Sequence, residues 1–280
     1  LKERGLLYEK DGASWLKTEQ FGDSKDRVLV KSDGNYTYFA ADIAYHLDKL
    51  QRGYELLIDI WGADHHGHIP RMKAALEALG EDPEQLEIVI VQIVTLLRDG
   101  EEVRMSKRAG EFITLRDIVE EIGKDATRYF YVERSSDSHY DFDLAVAKEE
   151  SANNPVYYIQ YAHARISSML KKAAAEGQKI EFALPEQGWK YLQTEDEKKL
   201  MWQLAGLPQA IQDSAAQRAP HILARYLYDL ATIFHGFYNR CPVIGQEEEV
   251  SEARLFLVLA TRQVIRKAAG ILGISIPEQM

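Results

Sequence analysis

Short apolar runs alternate with helical patterns over the first hundred residues of the chain. Residues 56–61 and 88–97 are apolar and rich in β-branched side chains, which predicts two buried strands. Residues 40–52 and 69–79 instead place apolar side chains at helical spacing, and a glycine follows each of them as a C-terminal stop. Strands that alternate with helices in this way predict an α/β fold with a parallel sheet.

Polar signals predict the turns and helix starts that flank these runs. Val28–Lys31 and Tyr36–Tyr38, joined by a Ser-Asp-Gly-Asn turn, predict a short hairpin. Asp99-Gly100 predicts a tight turn after the second strand, and Thr114 predicts the N-cap of a helix.

The second half of the chain has an almost entirely helical pattern. Asn154, followed by a proline, predicts the start of a long helix, and another helix opens at Pro220. A last helix is predicted to be capped by Ser251 and to end at Gly273. The apolar face of the Pro220 helix comprises Leu223, Leu227, Leu230, Phe234 and Phe237. About four such helices predict a helical bundle.

Composition and charge narrow the class of protein. The chain is 46% hydrophobic and 28% charged, as is ordinary for a soluble globular protein, and no apolar run approaches the roughly 20 residues of a membrane span. The single cysteine, Cys241, excludes a disulfide framework and a multi-cysteine zinc site, and favours a cytoplasmic protein. Residues 1–150 carry 20 Lys and Arg against 31 Asp and Glu, whereas residues 151–280 carry 14 against 13. An RNA partner would therefore meet far less repulsion in the second part.

A Met-Ser-Lys tripeptide follows the second predicted strand. It resembles the lysine loop that forms the second signature of class I aminoacyl-tRNA synthetases, although Arg104 replaces the first lysine and Arg108 the last serine. On this resemblance Lys107 is the catalytic residue that stabilises negative charge on the ATP phosphates, with Ser106 and Arg104 assisting. Met105 is expected to contact ATP. Taken alone, the tripeptide is also compatible with an exposed basic loop.

A Gly-Ala-Asp-His-His-Gly-His stretch directly follows the first predicted strand. A glycine at the C-terminal end of a strand admits a ligand closely, and an aspartate just after it can accept hydrogen bonds from ribose hydroxyls. The stretch resembles the Gly-x-Asp-x-x-x-His segment of many class I synthetases. The resemblance implies ATP-binding residues at Gly62, Asp64, His65 and His68.

The three histidines of this stretch allow two other interpretations. A metal site is disfavoured because spacings of one and two residues do not put three imidazoles on one helix face. Residues 65–68 also match the letters of the first class I signature, His-x-Gly-His. That signature opens the helix after the first strand of the fold, whereas only 38 positions separate His68 from Ser106 here.

Tyr38 precedes Asp42 by four positions at the start of a predicted helix, which places both side chains on one face. A guanidinium group binds well to an aromatic plane and a carboxylate together. The pair resembles the Tyr-x-x-x-Asp element by which arginyl-tRNA synthetases hold arginine, and it is our candidate arginine site. The alternative is a packed tyrosine beside a helix-capping aspartate.

The second half resembles the arginyl-tRNA synthetases most specifically. Residues 125–128 are similar to the Asp-Ala-Leu-Arg element of the anticodon domain, with Thr127 in place of leucine. Residues 154–165 and 234–239 and the final methionine also resemble this family. Its bundle reads the anticodon by stacking and by hydrogen bonds to base edges. The residues that the resemblance implies for tRNA binding are Asn154, Tyr158, Tyr161, Arg165, Tyr238 and Met280, although Tyr161 and Tyr238 could equally belong to the core.

The resemblance covers nearly the whole chain and implies two domains. Residues 1–150 would be the C-terminal half of a Rossmann-like α/β class I catalytic domain, and residues 151–280 an all-α helical-bundle anticodon-binding domain. The implied activity is ATP-dependent activation of L-arginine and its transfer to tRNA(Arg). We expect ATP as a substrate with Mg²⁺, no structural metal, no membrane association, and a monomeric full-length enzyme. The 280 residues alone are expected to be inactive, because the first signature is absent from them.

Three other functions remain open at this point. Cysteinyl-tRNA synthetases share the type of helical domain, but they carry a zinc held by several cysteines, which Cys241 alone cannot supply. The chain could also belong to a non-catalytic tRNA-binding module, or to an α/β nucleotide-binding protein with a helical interaction domain.

Overall fold

The computed structural model describes residues 1–103, 113–182 and 187–280. The chain divides into two compact units. Unit 1 comprises Leu1–Ile93 and Ser136–Ser138, and unit 2 comprises Val94–Ser135 and His139–Met280. The domain boundary near residue 150 stays a prediction.

Unit 1 contains a three-stranded antiparallel sheet followed by a parallel strand–helix–strand arrangement. Its elements are β1 (Leu7–Lys10), β2 (Ala13–Leu16), β3 (Arg27–Val30), α1 (Tyr38–Gln51), β4 (Leu57–Gly62), α2 (Ile69–Leu79) and β5 (Leu86–Val91). β4 and β5 pair in parallel, which confirms the predicted parallel sheet. The core of the unit includes Leu16, Ile43, Leu57, Leu76 and Leu86.

Helix α1 begins two residues before its predicted start, and this changes the position of Tyr38. The Thr37 hydroxyl accepts a hydrogen bond from the backbone N–H of Ala40, so that Thr37 is the N-cap. Only a single β-bridge, between Val30 and Tyr36, remains of the predicted hairpin. The expected strand at Tyr36–Tyr38 is therefore wrong, and Tyr38 is the first helical residue.

The apolar run 88–97 forms two strands rather than the single strand that was predicted. β5 ends at Val91, and β6 (Val94–Arg98) pairs in parallel with another strand in unit 2. Between them the backbone N–H of Gln92 bonds to the carbonyl of Ser136 at 2.8 Å, and the Ile93 side chain is 75% exposed. The periodicity of an apolar run does not show where the chain leaves one sheet for another.

Unit 2 starts with a small sheet and continues as a helical bundle. Its other elements are β7 (Glu101–Glu102), α3 (Leu115–Ile122), α4 (Lys124–Val132), β8 (Tyr140–Asp143), α5 (Leu144–Lys148), α6 (Pro155–Ala175), α7 (Glu195–Ala205), α8 (Leu207–Ala216), α9 (Pro220–Arg240) and α10 (Glu248–Leu272). Asp99 and Gly100 both have positive φ in the turn between β6 and β7, as predicted. Thr114 caps α3 in a reciprocal capping box with Asp117, also as predicted.

The bundle core confirms the predicted face of α9 and corrects the start of α10. All five apolar residues of that face are at most 2% exposed. Ser251 does not cap α10, because its own N–H already donates to the carbonyl of Glu247, which occupies the N-cap position. The Ser251 hydroxyl is buried and has no hydrogen-bond partner among the described residues.

Candidate functional site

A cavity of about 1410 Å³ in unit 1 brings together five of the six predicted substrate residues that the structure describes, and Asp64 is not among its lining residues. Tyr38, Asp42, Gly62, His65 and His68 all line it. They come from the start of α1, the end of β4 and the turn that leads into α2. The carboxyl ends of parallel strands are where open α/β sheets bind ligands. The predicted loop residues Arg104, Met105, Ser106 and Lys107 lie outside the described residues.

Tyr38 and Asp42 lie one turn apart on α1 and are available to a ligand. Tyr38 is 93% exposed and Asp42 is also exposed. The Asp42 carboxylate accepts no hydrogen bond from a described residue, although Asp42 adds a negative charge to the electrostatic environment of His68. The alternative of a helix-capping aspartate is therefore wrong, because Thr37 fills that role.

The side chain of Asp64 lies close to the open side of Gly62. A Cβ atom on Gly62 would lie 2.7 Å from a carboxylate oxygen of Asp64, so a larger residue would displace that side chain. Asp64 is also 3.5 Å from Nε2 of His65, in an exposed position. The glycine therefore allows the aspartate to lie across the end of β4.

A buried histidine, which sequence analysis did not select, links α1 to β4 beside this cavity. The two nitrogens of His46 face the backbone carbonyl of Asp42 and the carboxylate of Asp59, each at 2.7 Å. Lys49 donates to the other oxygen of Asp59 at 3.1 Å. Because both partners of the imidazole can only accept, His46 is doubly protonated. Burial opposes that charge, but the two hydrogen bonds outweigh it and raise the pKa of His46 above its usual value.

We expect the His46→Gln substitution to destabilise unit 1 by about 1.5–3 kcal/mol, as for hydrogen bonds between charged groups. A raised pKa stabilises the fold fully below the pKa of unfolded histidine, about 6.5, and this contribution disappears as the pH rises through the folded pKa. The difference in melting temperature between parent and variant should therefore be larger at about pH 6 than at about pH 9. A difference that is constant across this range would contradict the imidazolium assignment.

Cationic side chains lie at another part of the cavity wall. Burial, together with the charges of Arg71, His65 and Arg27, holds the pKa of His68 below its usual value. Arg71 lies over the Phe39 ring at 5.8 Å, and its buried Nε has no hydrogen-bond partner among the described residues. The cavity therefore offers a carboxylate at Asp42 and cationic groups elsewhere, which suits a cationic ligand beside an anionic one.

A groove of about 750 Å³ in unit 2 contains four of the six predicted tRNA residues. We call it the tyrosine groove, and its defining residues are Tyr161, Arg165, Tyr238 and Met280. The guanidinium of Arg165 lies between two rings, 4.5 Å from the centroid of Tyr161 and 4.4 Å from that of Tyr238. Both tyrosines and Met280 are exposed, so the alternative that the two tyrosines belong to the core is wrong.

His235 fixes the position of Arg165 and was not among the predicted residues. Nη1 of Arg165 donates to Nδ1 of His235 at 3.1 Å, and Nη2 donates to the Tyr161 hydroxyl at 3.0 Å. Nε2 of His235 lies 3.2 Å from the carbonyl of Tyr158 and must donate to it. These partners define a neutral imidazole with the proton on Nε2. Burial, supported by the charge of Arg165, lowers the pKa of His235 and keeps it neutral.

The other two predicted tRNA residues have structural contacts. The Asn154 side chain is buried and caps α6: its oxygen accepts from the N–H groups of Val156 and Tyr157, and its nitrogen donates to the carbonyls of Ala147 and Glu149. All its hydrogen-bonding positions are used, so it has none left for RNA. Tyr158 is half-buried and packs against the rings of His235 and Tyr228, at 4.4 and 5.6 Å.

Two further features concern metal binding and membrane insertion in the part of the chain that the structure describes. No group of three or more His, Cys, Asp or Glu residues is arranged there to hold a metal ion. None of the helices described is both long and apolar enough to cross a bilayer.

Comparisons with known proteins match both units. A family model described as "tRNA synthetases class I (R), catalytic domain" matches residues 1–170, and one described as "DALR anticodon binding domain" matches residues 159–280. The arginine–tRNA ligase of Listeria welshimeri is 53% identical over 281 residues, and that of Carboxydothermus hydrogenoformans 55% identical over 286. Each alignment covers 100% of this chain, which spans about half the length of these relatives.

Solved structures give the same result for the fold. A Campylobacter jejuni protein described as an arginyl tRNA synthetase has a TM-score of 0.90 and 43% identity, covering 100% of this chain and 60% of its own. The arginyl-tRNA synthetase of Thermus thermophilus has a TM-score of 0.80, with 23% identity and 56% of its chain covered. The predicted fold class, an α/β class I part followed by an all-α part, is confirmed.

Proposed function

The chain belongs to the arginyl-tRNA synthetase family, and from this premise we propose that it supplies part of the catalytic site and the anticodon-contacting surface of an arginine–tRNA ligase. Such an enzyme activates L-arginine with ATP and transfers it to tRNA(Arg). A monomeric enzyme in the cytoplasm is part of this proposal. These 280 residues alone are expected not to aminoacylate tRNA, because the first class I signature is not among them.

The cavity of unit 1 supports the proposed arginine and ATP sites. Asp42 would form a bidentate pair with the substrate guanidinium, and the Tyr38 ring would cover it. The adenosine part of ATP would lie at Gly62, Asp64, His65 and His68, with Met105 nearby. Lys107, with Ser106 and Arg104, would stabilise charge on the phosphates.

Catalysis would then rest on positioning and electrostatics, without a covalent enzyme intermediate. Mg²⁺ is expected to accompany ATP. The described residues offer the ion no cluster of three His, Cys, Asp or Glu side chains, so we assign it no protein ligands and no step.

The tyrosine groove is the observation that carries the tRNA part of the proposal. An unstacked base can stack on the exposed tyrosine rings, and the fixed guanidinium between them offers N–H groups to a base edge. His235 and Tyr161 hold that guanidinium in place before any ligand arrives. A preorganised group loses less entropy on binding than a free arginine side chain does.

The test is binding of a tRNA(Arg) transcript to this chain at two salt concentrations, beside a transcript with a changed anticodon. We expect tight, salt-sensitive binding that weakens with the changed anticodon, because phosphates supply affinity and bases supply specificity. Equal affinity for the two transcripts, or no binding of either, would contradict anticodon reading by unit 2.

A further inference from the structure

A second groove in unit 2 combines an apolar floor with a row of cations. It has a volume of about 910 Å³, and we call it the basic groove, defined by Phe182, Arg262, Arg266 and Lys267. Its apolar floor includes Ile180, Leu207, Leu259 and Val264. The described residues that line it include no Asp or Glu.

The three cations come from the exposed side of α10. None of them forms an ion pair with another residue in the described parts of the chain. Arg262 and Arg266 are one turn apart, so that both face the same groove. Phe182 is 58% exposed and rests on the Phe256 ring, with centroids 5.2 Å apart. The groove therefore presents a supported aromatic face beside three free positive charges.

The two grooves share no lining residue, but contacts of α6 with the last residues of the chain link the surroundings of the basic groove to the tyrosine groove. The charges of Arg266 and Arg262 act on His163, whose Nδ1 donates to the carbonyl of Pro277 at 2.9 Å. The Gln160 side chain donates to the carbonyl of Ser275 at 2.9 Å. The C-terminal segment after α10 therefore runs alongside α6, and it ends at Met280, which lines the tyrosine groove.

We propose that the basic groove is a second RNA contact, in which Arg262, Arg266 and Lys267 bind phosphates of the RNA molecule whose unstacked base occupies the tyrosine groove. The inference rests on the proposed function, since it concerns the same RNA. Unpaired cations next to an exposed ring match the chemistry of an RNA strand, in which phosphates and flat bases alternate. Contacts of this kind add affinity without reading sequence.

The experiment compares three forms of the full 280-residue chain by fluorescence anisotropy with a labelled tRNA(Arg) transcript across a salt series. The first is the parent, and the second carries R262Q, R266Q and K267Q. The third carries K190Q, K198Q and K199Q, which remove the same charge from residues that line neither groove. Circular dichroism confirms that all three are folded.

We expect the variant with R262Q, R266Q and K267Q to bind tRNA more weakly than the parent near 100 mM salt, by a factor of about ten or more. The slope of log K against log salt should fall in magnitude by about two, because each lost phosphate contact removes roughly 0.7–0.9 from it. Its preference for the arginine anticodon should be unchanged, and the control should shift by less than about twofold. Equal losses in both triple variants would overturn the inference, and so would an unchanged slope. If Arg165→Ala weakens binding while the basic-groove variant does not, only this inference fails; if the parent binds no RNA, the proposed function fails with it.

Discussion

Arg254→Ala is expected to lower the free energy of unfolding of unit 2 by about 3–5 kcal/mol, because it leaves a buried carboxylate without its cation. Glu197 is 0% exposed, and its Oε1 accepts from Nε of Arg254 at 2.7 Å. Its Oε2 accepts from the N–H of Thr194 at 2.7 Å, as the reciprocal half of the cap of α7. Arg254 also donates to the carbonyl of Pro242 at 2.6 Å. One substitution therefore weakens contacts that join α10, α7 and the segment after α9. Urea denaturation followed by circular dichroism measures the loss.

Two further variants distinguish the loss of stability caused by breaking the buried ion pair from the loss caused by removing any arginine. Arg240→Ala breaks the exposed pair with Asp196 and should cost about 1 kcal/mol or less. The double variant Arg254→Met with Glu197→Gln removes both charges, and it should be more stable than Arg254→Ala because no charge is left buried. A loss for Arg254→Ala no larger than that for Arg240→Ala would contradict a stabilising role for the buried pair of Arg254 and Glu197.

Local chemistry made the ends of several helices predictable. Thr114 and Asn154 cap helices by hydrogen bonds to residues two or three positions away, so the sequence window that contains the cap contains its partners. Ser251 failed as a cap because Glu247 already lies in the extended conformation that starts α10. A serine near a helix start indicates the region of the start, and tertiary packing selects the residue.

The division of the chain at residues 92–93 could not be predicted for a different reason. The break in the run 88–97 depends on the bond between Gln92 and Ser136, which is 44 positions away. The alternation of strand and helix predicted the parallel pairing correctly, because that pattern is repeated locally along β4, α2 and β5. Partners distant in sequence leave no periodic signal.

In the candidate site, too, contacts between residues close in sequence were predictable and contacts between separate elements were not. Tyr38 with Asp42 and Tyr161 with Arg165 are pairs at helical spacing, so their proximity follows from the sequence alone. His46 depends on Asp59, and His235 depends on Arg165, and both links join separate elements. The only available signal for His46 was its position on the otherwise apolar face of α1, where a histidine needs buried partners.

Arg165→Ala is expected to weaken tRNA binding about thirtyfold or more, since stacking and charge-assisted hydrogen bonds at one base each contribute about 1–3 kcal/mol. The guanidinium lies between Tyr161 and Tyr238, so its removal takes away a contact surface as well as the N–H donors that His235 and Tyr161 do not use. Arg165→Lys should not restore affinity, because an ammonium group cannot stack on two rings or donate in a planar fork. Titration of a labelled tRNA(Arg) transcript gives the dissociation constants.

Two other variants determine whether Arg165 acts on the base or only on the net charge. Arg225→Ala removes one cation from α9 outside the tyrosine groove and should change affinity by less than about twofold. His235→Gln keeps the charge of Arg165 but removes its imidazole partner, so we expect an intermediate loss with an unchanged salt slope. Because base contacts carry specificity, Arg165→Ala should also reduce the preference for the parent anticodon. An equal loss of affinity for both transcripts would instead indicate that Arg165 contacts a phosphate. Another residue of the tyrosine groove would then have to contact the base.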